Sequence, residues 1–187
     1  AMFNNATTLI EMGADHKISD TKGDAPLHIA ANNGVFSLAE ALLAKGANPD
    51  AVNAQGKTPL YTAMSNGQFA LFKLLLKNNA NVNIPNAKGA MPLHRAVRTD
   101  DEDYVQALLA KNPQINVHDD EGYTPLDYAV EQGNLKMVKM LLDKGADPNL
   151  VDTGNYGPLH IAAAADEVDV DDNDNIVRAL LKAGADP

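Results

Sequence analysis

Short stripes of apolar residues alternate with polar turns along the chain and predict pairs of short α-helices. The segment that begins at Pro26 carries a first stripe with the spacing of one helix face. Gly34 interrupts this stripe, and a second one runs over 36–43. Proline is favoured in the first turn of a helix and glycine just after the last turn, so Pro26 and Gly46 bound the pair. The pattern therefore predicts a unit of helix, turn, helix and extended turn.

This unit recurs along the chain with a period of 33 residues. Each copy opens with a proline followed by a leucine, and an alanine comes four positions after the proline. The prolines are Pro26, Pro59, Pro92, Pro125 and Pro158. A pair of leucines recurs in step, at Leu42-Leu43, Leu75-Leu76, Leu108-Leu109 and Leu141-Leu142. A period of about 20–50 residues indicates a repeat array, in which units too short to be stable alone stack on their neighbours.

The opening motif of each unit resembles the ankyrin repeat, whose signature is T-P-L-H-x-A. In the first two full copies it reads Ala25-Pro26-Leu27-His28-Ile29-Ala30 and Thr58-Pro59-Leu60-Tyr61-Thr62-Ala63. The resemblance covers nearly the whole chain. It implies an all-α solenoid of stacked helix-turn-helix units, with β-turn or hairpin loops along one edge.

The register of the motif divides the chain into repeats of one ankyrin domain over 1–187. We expect a partial repeat over 1–17, followed by five full repeats. The full repeats span 18–50, 51–83, 84–116, 117–149 and 150–187. The last is too long for the period because of an acidic insertion at about 166–174, which we expect to be a solvated loop that caps a final helix over 176–183.

Two repeats depart from the signature at its histidine. Tyr61 and Asp127 stand where the other repeats have an imidazole, which in the ankyrin family hydrogen-bonds turn backbone. The histidines that remain are His28, His94 and His160. The substitutions put in doubt the hydrogen bond between neighbouring turns in these two repeats.

Charge and composition narrow the classes of function. The chain has 25 acidic and 15 basic side chains, a formal charge of −10, which disfavours non-specific binding to nucleic acid or anionic lipid. It has no cysteine, which excludes disulfides, thiolate metal sites and a cysteine nucleophile. No apolar run approaches the ~20 residues of a membrane helix. We expect a monomer that neither inserts into membranes nor binds nucleic acid, and the sequence assigns no compartment.

Catalytic and zinc-binding patterns are absent from the sequence. The serines have no G-x-S-x-G context. The signature histidines lie at least one repeat apart, and helices about 8–10 Å apart cannot bring them within the ~2 Å of zinc ligation. We expect no enzyme activity, no catalytic residue and no cofactor.

The acidic insertion is the one segment where a metal could be argued. Its alternating oxygen side chains resemble the start of a calcium loop. Asp174 stands where such a loop needs glycine, and Leu180 where it needs a bidentate glutamate, which excludes an EF-hand. We expect no metal, with a surface calcium site as the alternative. That site would consist of Asp169, Asp171 and Asn173.

The resemblance implies a binding face made of the turn tips and the exposed positions of the first helices, on the concave side. There the middle of the chain is basic, the next unit is acidic, and tyrosines occupy neighbouring turn tips. Tyrosine and arginine are enriched at binding hot spots. The predicted partner-binding residues are Lys57, Lys88, Arg95, Arg98, Tyr123, Tyr128 and Tyr156.

The sequence therefore predicts a non-catalytic module that binds a protein partner. One alternative is a stand-alone inhibitor or immunity-type protein that occludes the active site of an enzyme. Another is a targeting domain of a larger enzyme or effector.

Overall fold

Pairs of short helices joined by turns make up the structure, as the apolar stripes predict. The computed structural model describes residues 6–8, 10, 12, 13, 15, 18–164 and 170–187, without the side chains of 170–172. No strand occurs in this part of the chain. The chain forms two compact units, over 1–87 and 88–187.

The first helix of every pair begins at the repeat proline. These helices are α1 (Pro26–Asn33), α3 (Pro59–Ser65), α5 (Pro92–Arg98), α7 (Pro125–Glu131) and α9 (Pro158–Ala164). The second helices are α2 (Phe36–Ala44), α4 (Phe69–Lys77), α6 (Glu102–Leu109), α8 (Leu135–Asp143) and α10 (Val170–Lys182). The helix stop predicted at Gly46 forms, with a φ of 82°. The Asp101 carboxylate caps α6, because it accepts the amide hydrogen of Tyr104 at 3.3 Å.

Within each unit, first helices pack on first helices and second helices on second helices. In the first unit α1 packs on α3 and α2 on α4. In the second unit α7 lies between α5 and α9, and α8 packs on α10. The residues of the repeat signature form the contacts, because the repeat alanines and the first leucine of each pair are fully buried. These are Ala30, Ala63, Ala96, Ala129, Ala162, Leu42, Leu75, Leu108 and Leu141.

An aspartate or asparagine closes the extended turns that precede α1, α3, α7 and α9. In the turn of the first full repeat, the Asp20 carboxylate accepts the amide hydrogens of Lys22 and Asp24 at 2.8 and 2.9 Å. The same pattern recurs at Asn53, Asp119 and Asp152. Side-chain capping of this kind lets a turn keep one conformation without neighbouring strands.

Successive turns touch through their backbones, and glycine permits the approach. Ala54 donates its amide hydrogen to the Lys22 carbonyl at 3.1 Å. A Cβ atom on Gly23 would lie 2.9 Å from the Ala54 nitrogen, and its φ of 76° is one that other residues rarely adopt. Asn155 replaces the glycine in the last repeat and adopts a φ of 65°, as expected for the residue that best tolerates this region.

The contact between neighbouring turns that the sequence puts in doubt at Tyr61 is present. The Tyr61 hydroxyl accepts a hydrogen bond of 2.8 Å from the Asn86 side chain, so a longer side chain reaches the next turn. Asp127 instead turns back on its own repeat, where it accepts hydrogen bonds from the Thr124 amide and hydroxyl at 2.8 and 2.6 Å. The two residues therefore differ. Tyr61 hydrogen-bonds the next turn, whereas Asp127 caps the start of its own helix.

The final helix was expected to start at residue 176, after an acidic loop, and this expectation is wrong. Residues 165–169 lie outside the described part, but α10 begins at Val170, inside the predicted insertion, and runs for 13 residues. The Asn173 amide donates to the Ala162 carbonyl at 2.9 Å and so ties the first turn of α10 to α9. Acidic residues favour the first turn of a helix, which explains why an acidic segment can extend α10 toward its N-terminus.

Replacing Leu75 by alanine should destabilise the first unit strongly. Leu75 is 0% exposed, and removing such a side chain leaves a cavity that costs about 3 kcal/mol. Leu74 on the same helix is only half-buried, so Leu74→Ala is the matched control and should cost about 1 kcal/mol. Urea denaturation followed by circular dichroism measures both, and equal losses would contradict this account of the core.

Candidate functional site

The seven predicted partner-binding residues divide between the two units. Lys57 lies in the turn before α3 of the first unit, is half-buried, and holds its ammonium 6.0 Å from the centre of the Tyr61 ring. Its carbonyl accepts a hydrogen bond of 2.9 Å from His28 Nε2, so this backbone has a structural role. The other six residues lie in the second unit.

Three of those six come together around one ring. The Tyr123 ring stacks on the Tyr128 ring with centroids 4.9 Å apart. The Arg98 guanidinium carbon lies 5.9 Å from the centre of the Tyr128 ring, a cation–π distance. His94 meets Tyr128 edge-on at 6.4 Å. We call Arg98, Tyr123, Tyr128 and His94 the tyrosine cluster.

Tyr128 is the buried base of this cluster. The sequence analysis had placed it on an exposed face, and that expectation is wrong. It is 4% exposed, because Tyr123 covers its ring and its hydroxyl donates to Asp119 Oδ2 at 2.8 Å. Burial raises the pKa of Tyr128, and the Asp119 carboxylate adds to that rise. The hydroxyl therefore stays protonated and acts as a donor, and Tyr128 supports the residues above it.

Asp119 organises the cluster, and the sequence analysis missed it. One carboxylate oxygen accepts the amide hydrogens of Glu121 and Tyr123 at 3.0 and 3.1 Å, and the other accepts the Tyr128 hydroxyl. The side chain thereby fixes a turn tip and a helix residue together. The signal was present in the sequence, since aspartate or asparagine recurs three positions before each turn glycine or its replacement: Asp20, Asn53, Asn86, Asp119 and Asp152.

His94 joins the cluster to the turn before α7. The Met91 amide donates to His94 Nδ1 at 3.1 Å, while Nε2 lies 2.9 Å from the Val117 carbonyl and 3.1 Å from the Tyr123 carbonyl. Carbonyls only accept, so Nε2 carries the hydrogen and the imidazole is neutral. Its pKa is lowered chiefly by burial. The predicted structural role of this histidine is thereby explained.

The remaining predicted residues stand around the cluster at different exposures. Tyr156, in the turn before α9, is 59% exposed, and its ring lies 5.3 Å from that of His160. Arg95 on α5 is half-buried, and Lys88 at a turn tip is exposed. The Lys88 carbonyl accepts the Asp120 amide hydrogen at 3.1 Å, which joins its turn to the next one.

Acidic side chains belong to the same set of turns and first helices. Asp120, Glu121 and Glu131 are exposed, and the Tyr123 hydroxyl donates to Glu131 at 3.3 Å. Burial and Glu131 both raise the pKa of Tyr123, so its hydroxyl is a donor as well. The second unit thus presents aromatic, basic and acidic groups on its turns and first helices.

Asp127 is the buried carboxyl of this region. It is 3% exposed, and its Oδ1 atom has no hydrogen-bond partner among the described residues. Burial raises its pKa, while the hydrogen bonds from Thr124 oppose that rise. Its bonds all go to its own helix start, so it serves the cap of α7.

No group of three metal-binding side chains occurs among the residues whose positions are described. Of the three residues of the alternative calcium site, Asp169 and the Asp171 side chain lie outside the described part. Asn173 uses its amide to bond Ala162. The surface calcium site therefore stays a prediction.

Comparison with known proteins agrees with the repeat architecture. The family profile described as "Ankyrin repeats (3 copies)" matches residues 1–86 and 73–152, and the profile described as "Ankyrin repeat" matches 155–187. The chain belongs to the ankyrin repeat family. Its all-α fold of stacked helix-turn-helix units is thereby confirmed.

A solved ankyrin structure shows the same fold. The crystal structure of an ankyrin repeat domain from Acinetobacter baumannii AYE is similar to this chain, with a TM-score of 0.85. The two are 26% identical, and the match covers 98% of this chain and 95% of the other. A search among curated proteins gave no match. None of the described helices of this ankyrin protein has the length and apolar character to cross a membrane.

Removing the Tyr128 hydroxyl should weaken the second unit. Tyr128→Phe keeps the ring but leaves a nearly buried Asp119 carboxylate oxygen without its donor, which should cost about 1–2 kcal/mol of unfolding free energy. Tyr156→Phe removes a hydroxyl from an exposed ring and should change stability by less than about 0.5 kcal/mol. Chemical denaturation compares the two, and similar values would show that the Asp119 contact is not structural.

His94 should make stability depend on pH. Its pKa is lowered in the fold, whereas the unfolded chain takes up a proton near the ordinary value of 6.5. The unfolded state therefore binds more protons below about pH 6.5, and stability should fall as the pH drops through that value. The stability difference between wild type and His94→Gln should shrink from about pH 7 to about pH 5. A difference independent of pH would refute this assignment.

Proposed function

We propose that this ankyrin domain is a non-catalytic module that binds a protein partner through the turn tips and first helices of its second unit. Ankyrin repeats are generally protein–protein interaction modules, so the family supports the class of function. The residues that carry contact in the second unit are Arg98, Tyr123 and Tyr156, with Lys88 and Arg95 beside them. Tyr128 supports them from below, and Lys57 belongs to the predicted set in the first unit.

The tyrosine cluster is the observation that carries this proposal. Arg98 is held over Tyr128, and Tyr123 is stacked on the same ring, so two hot-spot residue types are fixed in place. Ordering a long side chain on binding costs about 0.5–1.5 kcal/mol, and a side chain that is already fixed avoids much of that cost. The cluster therefore favours binding of a partner group in one orientation.

The exposed aromatic pair Tyr156 and His160 extends the same surface. A tyrosine that is 59% exposed at a turn tip contributes little to the fold, yet its ring can bury much apolar area against a partner. Neighbouring cations and carboxylates give the surface charges of both signs. Such a pattern selects a partner whose charges are arranged to match, and it fixes the register of binding.

A differential pull-down tests the proposal. The tagged wild type and Arg98→Ala/Tyr156→Ala are incubated with a lysate of the producing cells, and captured proteins are quantified by mass spectrometry. A specific partner should be lost from the variant, because removing two hot-spot residues should weaken binding by about tenfold or more.

The matched control removes an aromatic ring and a cation from a second helix and its end. Phe36→Ala/Lys45→Ala does so in the first unit, where both residues are exposed. It should capture the partner as the wild type does, and circular dichroism confirms that each variant is folded. Equal recovery with wild type and with Arg98→Ala/Tyr156→Ala would reject this surface as the binding site.

A further inference from the structure

A groove of about 710 Å³ lies between the two second helices of the second unit, α8 and α10. Two small residues line it on the α10 side: Ala179 on the helix and Ala183 just after its end. Leu142 and Ala146 form the floor on the other side. The groove has the size of an ordinary ligand pocket, and none of its residues belongs to the tyrosine cluster or its turns.

Three cations line this groove, against a single carboxylate. They are Lys139, Arg178 and Lys182, and the carboxylate is Asp143. The ion pair found in the described part of the chain joins Lys136 to Glu102 and involves none of these three cations. This local excess of positive charge occurs in a chain whose formal charge is −10.

The repeat register shows how part of this excess arises at one position of the two helices. Allowing for the longer last repeat, Arg178 occupies the position that Lys139 has in the preceding repeat. The equivalent residues of α2 and α4 are Glu40 and Lys73, which have opposite signs. Packing α8 on α10 therefore brings these two like charges to one groove, where Asp143 is the one lining carboxylate.

We propose that this groove is a second docking site, for an acidic peptide segment of a partner protein. Carboxylate side chains of the segment would pair with Arg178, Lys182 and Lys139, since arginine binds a carboxylate through two parallel hydrogen bonds. Small or apolar side chains of the segment would fill the floor over Leu142 and Ala146. The apolar floor favours a peptide over a small inorganic anion, which would leave it uncovered.

Fluorescence anisotropy with two labelled peptides tests this site on the full chain. The probe repeats Glu-Ala-Leu-Glu, and the matched peptide repeats Gln-Ala-Leu-Gln. The structure predicts that the glutamate peptide binds and that the glutamine peptide binds about tenfold more weakly. Failure of the glutamate peptide to bind, or equal binding of both peptides, would overturn the proposal.

Three variants locate the binding. Arg178→Gln/Lys182→Gln should weaken the glutamate peptide about tenfold, and Ala183→Leu should weaken it by narrowing the groove while all charges remain. Lys73→Gln/Lys77→Gln is the control, because it makes the same charge change at the equivalent positions of α4 and should leave binding unchanged. Equal weakening by both charge variants would show general electrostatic attraction and reject the groove, as would full binding by Ala183→Leu.

Discussion

Each of the two units depends on the burial of one apolar face per helix against the equivalent helix of a neighbouring repeat in that unit. A helix of seven to nine residues, such as α3 or α4, is too short to be stable in water alone. Stability must therefore come from contacts such as those that keep Leu60 and Leu75 at 0% exposure. Because each repeat is stabilised by its neighbours, the buried residues of the repeat signature are needed for packing. Function has to come from positions that this packing does not use.

The extended turns obey a second constraint, which links the fold to the candidate site. The turns before α1, α3, α7 and α9 are closed by an aspartate or asparagine, and a glycine such as Gly23 lets the next turn approach its backbone. In the repeat over 117–149 the closing residue, Asp119, also receives the Tyr128 hydroxyl. The same interaction that stabilises the turn therefore also positions an aromatic ring beneath Arg98 and Tyr123. The proposed binding surface would thus arise from a small change to a turn that recurs along the chain.

Much of the fold follows from the sequence, because the signals are local and repeat in phase. Prolines mark the helix starts, Gly46 and Asn155 take positive φ as their residue types predict, and Asp101 caps α6. The burial of Tyr128 could not be predicted in this way, since it depends on a turn that places Asp119 against its hydroxyl. The start of α10 inside the acidic insertion was also missed, because composition favoured a loop while the tie from Asn173 to α9 depends on packing.

The charges on the second helices show why departures from the repeat are informative. Exposed side chains there change stability by about 0.5 kcal/mol or less, so the fold does not fix their sign. The pairing of Glu40 with Lys73 at one register and of Lys139 with Arg178 at another is therefore not required by the backbone. Opposite signs need no further explanation, because they neutralise each other. Three cations against the one carboxylate of Asp143 give this groove an excess of positive charge, which an acidic partner segment would complement.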